Sequence, residues 1–127
     1  MAANNTVHIV DDDINVLDST KLLIRLLGHD VSAWNSPADF LNQASIGPED
    51  LILLDLRMPD YDGFSVFRQL RASGRPNQAI LMTGHGDSDL EIEAYSLGIC
   101  AILHKPFSED DLVVAIQSAR ATANSGQ

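Results

Sequence analysis

Asp11, Asp12 and Asp13 stand in a row after the apolar run Thr6 to Val10, and a fourth aspartate, Asp55, follows the run Leu51-Ile52-Leu53-Leu54. Two carboxylates about 4 Å apart repel by roughly 4 kcal/mol at an effective dielectric near 20, so gathering Asp11, Asp12 and Asp55 calls for a compensating cation. Hard oxygen ligands of this kind suit Mg²⁺, with Mn²⁺ as an alternative, and Mg²⁺ keeps waters and takes phosphate oxygens into its octahedron. A carboxylate that attacks phosphorus forms an acyl phosphate, and that transfer needs alignment and neutralisation of the three equatorial oxygens above all. Thr83 follows the run Ala79 to Met82, and Lys105 follows Ile99 to His104. The ammonium can neutralise one phosphoryl oxygen and the hydroxyl can donate a hydrogen bond to another. Singly, each residue has a plainer explanation: Asp13 as a helix N-cap, Asp55 as an acid ending a strand, Thr83 as a turn residue, Lys105 as a surface charge. Together they fit one mechanism better than separate accidents.

The elements that must position them follow from the alternation of apolar runs of strand length with amphipathic stretches of helix length. This rhythm predicts βα units and a parallel sheet covered by helices on both faces. Five units are legible. Strands are expected over Thr6 to Val10, Asp30 to Trp34, Leu51 to Leu54, Ala79 to Met82 and Ile99 to His104. The second is short and half polar, as an edge strand should be, whereas the third is apolar throughout and belongs near the middle of the sheet. The first helix is expected from Ile14 to Leu27, with Ile14, Leu17, Leu22, Leu23, Leu26 and Leu27 on a broad apolar face and Gly28 closing it. Ser36-Pro37 opens a helix through Ala44. A third helix runs from Gly63 to Ala72, and a fourth is capped near Asp87 or Ser88 and runs to Leu97. Ser108-Glu109-Asp110-Asp111 opens the last with a capping-box pattern. Right-handed crossovers put the carboxyl ends of all five strands on one edge, where open α/β sheets bind ligands.

At 127 residues and 45% hydrophobic, the chain is the size of one domain with one core. Its span is expected as 1–121, with 122–127, small and polar, as a flexible tail or the start of a linker. The single cysteine, Cys100, lies in an apolar run and reads as a buried thiol in a reducing compartment. No stretch reaches the length of a membrane span and the N-terminus has no signal-peptide pattern, so a cytoplasmic location is expected. A formal charge of −10 argues against nucleic acid and anionic membranes as direct partners and in favour of a cation.

Four motifs, each ending an expected strand, resemble the receiver domains of two-component response regulators. They are Val-His-Ile-Val-Asp11-Asp12-Asp13, Leu-Leu-Asp55-Leu-Arg-Met-Pro59-Asp-Tyr-Asp-Gly63, Met-Thr83-Gly-His-Gly-Asp87 and Leu-His-Lys105-Pro106-Phe107. The resemblance spans about Thr6 to Ala121, and the Thr-Gly-His-Gly-Asp loop looks most like the FixJ-type subgroup. It implies a flavodoxin-like fold, a doubly wound five-stranded sheet in the order 2-1-3-4-5 with five helices. It implies Asp55 as phosphoacceptor, Asp12 as a direct Mg²⁺ ligand, Asp11 acting through metal-bound water, and the Arg57 backbone carbonyl as a further ligand. Thr83 and Lys105 then act catalytically on the phosphoryl group, and Lys105-Pro106 resembles the family's cis peptide. A sensor histidine kinase or phosphotransfer protein would donate from phosphohistidine. The chain would catalyse its own phosphorylation and dephosphorylation without being a turnover enzyme. Phosphorylation would draw Thr83 inward, on a loop that Gly84 and Gly86 make mobile, and switch the face of helix 4, strand 5 and helix 5. A homodimer formed on that face, with Ile102 and Leu90 contributing, is a further expectation. One departure stands out: Ile102 occupies the switch position where the family usually carries Phe or Tyr.

Other candidates weigh differently. Arg57 and His85 should border the phosphate, and His85 and His104 flank the site, although a solvated histidine is the plainer explanation for each. His8 is expected as a packed or hydrogen-bonded strand residue, His29 as turn surface, and Trp34 and Tyr61 as packing residues. Three rivals compete. An FMN-binding flavodoxin-like module would want hydroxyls and amides where three aspartates stand. An aspartyl phosphatase would want a second aspartate at Arg57. A phosphorylation-dead interaction module is kept alive by Ile102.

Overall fold

The computed structural model of the chain describes residues 6–59, 61–84 and 88–125. In chain order the elements are β1 (Thr6–Val10), α1 (Ile14–Leu26), β2 (Asp30–Trp34), α2 (Pro37–Gln43), β3 (Leu51–Asp55), α3 (Gly63–Ala72), β4 (Ala79–Thr83), α4 (Ser88–Leu97), β5 (Ala101–His104) and α5 (Glu109–Ser125). The strands form one parallel sheet in the order β2-β1-β3-β4-β5, the expected doubly wound arrangement.

Alternation along each strand feeds two cores. Val7, Ile9, Leu53, Ile80 and Met82 face one side, where Leu17 and Ile24 of α1 and Leu112 and Ile116 of α5 cover them. Val10, Ile52, Leu54 and Leu81 face the other, under Phe40 of α2, Phe64 and Phe67 of α3 and Ala94 of α4. Every residue of β3 and β4 is buried, as double cover demands. β2, at the edge, has no fully buried residue.

Helix starts carry the expected chemistry. The Asp13 carboxylate accepts the Asn15 and Val16 amides, Ser36 caps α2 and Asp62 caps α3. At α5, Ser108 Oγ accepts the Asp111 amide at 3.0 Å while Asp111 accepts the Ser108 amide at 3.1 Å, a reciprocal box. Gly28, just past α1, takes φ +96°, a conformation that suits a residue without a Cβ.

Three expectations need correction. The seam of α1 is Leu17, Thr20 and Ile24, with Leu23 and Leu27 partly buried against the same core. Ile14, Leu22 and Leu26 are exposed, Leu26 by 74%. Adjacent leucines are set about 100° apart around a helix, so the pairs Leu22-Leu23 and Leu26-Leu27 cannot both face one sheet. At the other end, 122–125, expected as tail, continues α5 as helix to Ser125. Cys100 precedes β5 rather than lying in it and is only half-buried, its thiol donating to the Ala79 carbonyl.

The amino-terminal edge of the sheet is tied by Asp50, just before β3. Its carboxylate accepts the Thr6 amide at 2.9 Å, the Gly47 amide at 2.7 Å and His8 Nε2 at 2.9 Å. Asn77, preceding β4, donates to the Gly47 and Asp50 carbonyls. His8 is thus the hydrogen-bonded strand residue expected.

Candidate functional site

Asp11 leaves β1 with no exposed surface, Asp12 next to it is exposed, and Asp55 is the last residue of β3, 6% exposed. Because β1 and β3 are neighbours in parallel register, their carboxyl ends bring the three acids together. One carboxylate oxygen from each of Asp11, Asp12 and Asp55 lies within 4.8 Å of the others. From β5, on the far side of β4, Lys105 reaches back, and its Nζ donates to Asp11 Oδ2 at 2.8 Å and to Asp55 Oδ1 at 3.1 Å. Asp11 Oδ1 accepts the Asp13 amide at 3.0 Å, so both its oxygens are oriented.

The balance of charge is uneven. Burial and the neighbouring Asp11 push the Asp55 carboxyl up to about 6, against the opposing pull of Lys105. Burial alone would lower the Lys105 ammonium, but Asp11 and Asp55 outweigh it and hold it above its ordinary value. One ammonium serves three carboxylates, and a hard divalent cation fits the deficit and the all-oxygen donor set.

Thr83 ends β4, buried, opposite His104 in the ladder, and its carbonyl accepts the Lys105 amide at 2.7 Å. The Lys105–Pro106 peptide is cis. Gly63 is dictated by crowding, since a Cβ there would stand 2.8 Å from the Asp55 carbonyl oxygen and 2.9 Å from Leu81. Its amide donates to the Leu56 carbonyl, which fastens the loop after Asp55 to the start of α3.

Arg57 pairs with Asp62 in an isolated antiparallel bridge and its side chain is exposed. Ile102 is partly buried against the α3–α4 core and lines a groove of about 410 Å³ between α4 and α5 with Tyr95, His104 and Val114. Leu90 is likewise partly buried in that core, while the large apolar residues exposed on α4 and α5, among the described residues, are Ile92, Tyr95 and Val114. Trp34 and Tyr61 pack against the same core. His29 is half-buried rather than free turn surface, and burial, aided by Arg120, lowers its pKa. His85, Gly86 and Asp87 lie outside the described residues. The strongest tie missed in the sequence is Asp50, whose only signal is an acid placed immediately before an apolar strand.

The response regulator receiver domain family matches this chain over residues 7–117. The chain belongs to that family. Membership makes it a phosphoacceptor domain of two-component signalling. The tetrathionate response regulatory protein TtrR of Salmonella typhimurium is 40% identical over 114 residues, which cover 90% of this chain and 55% of TtrR. The transcriptional regulatory protein FixJ of Bradyrhizobium diazoefficiens is 33% identical over 119 residues, covering 94% of this chain and 58% of FixJ. The crystal structure of FixJ-N superposes with a TM-score of 0.86 at 32% identity, covering 94% of this chain and 96% of that one. This receiver domain is therefore FixJ-like, and it spans little more than half the length of the two full-length relatives. Among the described residues no helix is long and apolar enough to cross a membrane.

Proposed function

We propose that Asp55 is the phosphoacceptor and that the donor is a phosphohistidine on a sensor histidine kinase or phosphotransfer protein in the cytoplasm. The observation that carries this is Asp55 itself: a buried carboxylate in contact with Lys105, with Asp11 and Asp12 at its side. An Asp55 carboxylate oxygen forms the new bond to phosphorus as the bond to the donor nitrogen breaks. The leaving imidazole departs with the electron pair and takes up a proton. Lys105 is already in place to neutralise a phosphoryl oxygen, and the Thr83 hydroxyl, one strand away, would donate to another. Mg²⁺ or Mn²⁺, held by Asp11, Asp12, Asp55 and the Arg57 carbonyl, would supply the remaining positive charge. Hydrolysis of the acyl phosphate resets the domain, so the chain is a self-catalysing phosphoacceptor and not a turnover enzyme. The output is a shift of Thr83 and of the α4–β5–α5 face, on which a phosphorylation-dependent homodimer would form.

Incubation with Mg²⁺ and acetyl phosphate, followed by intact mass, tests the assignment. One hydroxylamine-labile phosphoryl adduct is expected in the wild type and none in Asp55→Asn. An adduct that persists in Asp55→Asn overturns it, and no adduct on the wild type favours a pure interaction module. Asp12→Ala is expected to weaken Mg²⁺ binding at least tenfold in a titration without phosphodonor.

A further inference from the structure

Asp13 is the acid at the end of β1 that phosphoryl transfer leaves without a task. Its carboxylate is turned onto the helix: Oδ1 accepts the Asn15 amide at 3.0 Å and the Val16 amide at 3.3 Å. Among the described residues, the acids within common reach of one ion are Asp11, Asp12 and Asp55. The Asp13 carbonyl accepts the Leu17 amide at 2.9 Å. Asp13 is therefore fixed to the first turn of α1 through both its side chain and its carbonyl, with φ −83° and ψ 107°. From that fixed residue the amide points back and donates to Asp11 Oδ1 at 3.0 Å.

The same turn thus occurs twice in succession. Asp11 accepts the amide two residues on, and so does Asp13, each folding a side chain onto the backbone that follows it. On the strand side, the Asp11 amide donates to the Trp34 carbonyl at 3.0 Å. Asp12, exposed, is carried between these two anchored residues. Asp11 is fully buried, with Oδ2 on Lys105 and Oδ1 on the Asp13 amide, and each oxygen keeps a lone pair for a metal or its water. A rotation of either acid would carry its oxygens away from the common point, and Mg²⁺ demands near-ideal octahedral geometry.

We propose that Asp13 is a positioning residue for the metal centre: by capping α1 it fixes the amide that aims Asp11 and the backbone that carries Asp12. It acts through these two neighbours and not as a ligand. The inference rests on Mg²⁺ binding at Asp11, Asp12 and Asp55, as proposed above. The Asp13 carboxylate also adds negative charge near the ion, so the variants compared must be alike in charge.

Asp13→Asn and Asp13→Ser keep a capping oxygen without the charge, whereas Asp13→Ala has neither. Mg²⁺ titration without phosphodonor, at one pH and one salt concentration, compares them. Asp13→Ala should bind Mg²⁺ about two- to fivefold more weakly than Asp13→Asn, and Asp13→Ser should match Asp13→Asn. Ser36→Ala, which removes the cap of α2, controls for a general loss of stability and should keep the wild-type affinity. Equal affinities in the three Asp13 variants overturn the proposal, because charge alone then accounts for Asp13. A loss in Ser36→Ala as large as that in Asp13→Ala overturns it too. Amide hydrogen exchange at residue 13 in metal-free protein reads the same arrangement without the ion. Protection relative to the intrinsic rate should be about two- to fivefold lower in Asp13→Ala than in Asp13→Asn or Asp13→Ser. Unchanged protection in Asp13→Ala refutes the aiming of Asp11. If the wild type binds no Mg²⁺, the metal assignment fails instead, while exchange still decides how Asp11 is held.

Discussion

Asp50 and Asp55 stand at opposite ends of one strand, with similar burial of 8% and 6% exposure, and their electrostatic fates differ in sign. Burial pushes the Asp50 carboxyl up, but the hydrogen bonds from His8 and from the Thr6 and Gly47 amides outweigh it and hold it below the ordinary carboxylate value. At Asp55 burial acts in the same sense and Asp11 adds to it, so the carboxyl rises to about 6. The amino-terminal edge surrounds its acid with donors and spends it on holding strands together. The carboxyl-terminal edge surrounds its acid with other acids, a repulsion that a cation can relieve. Burial alone therefore identifies neither edge as functional; the neighbours decide.

The comparison breaks most visibly if Asp50 is dispensable. Asp50→Ala orphans three donors at once and should cost about 3 kcal/mol in urea unfolding, each stranded buried donor being worth about 1–3 kcal/mol. A loss below about 1 kcal/mol would remove its role as a tie. Next in size is an opposed pH dependence. A carboxyl raised in the folded state binds its proton more tightly there than when unfolded. Metal-free protein in chelator should therefore lose stability as pH rises from about 4 towards the folded value of about 6, by of order 1–2 kcal/mol. Asp55→Asn should lack that decline. Asp50, held low, contributes in the other sense: its stabilisation is complete above about pH 4 and disappears as pH falls through the folded value. Asp50→Asn should flatten that acid limb alone. The smallest effect is expected at Asn77, where Asn77→Ala removes donors to two carbonyls and should cost about 1 kcal/mol without changing adduct yield on Asp55.

Much of this is legible in the sequence. Unbroken apolar runs located β3 and β4, and the acids and lysine that follow the runs fell on one edge because parallel topology leaves no other place for them. What escaped depends on contacts between distant residues. No local pattern links His8, Thr6 and Gly47 to Asp50. The seam of α1 differs from its hydrophobic pattern for another reason: the angle around the helix, not the count of leucines, puts Thr20 and Ile24 inside and leaves Leu22 and Leu26 exposed.

The Lys105 contacts also say when the site comes into being. Its bond to Asp11 spans 94 positions and its bond to Asp55 spans 50, so the acidic cluster has no counter-ion until the last strand has docked beside β4. Contacts of such sequence separation close late, after the loop entropy between them has been overcome. A chain still emerging from the ribosome, or one whose β5 has come loose, carries all four aspartates and yet lacks the centre. The charge balance of this edge is thus a report on completed folding.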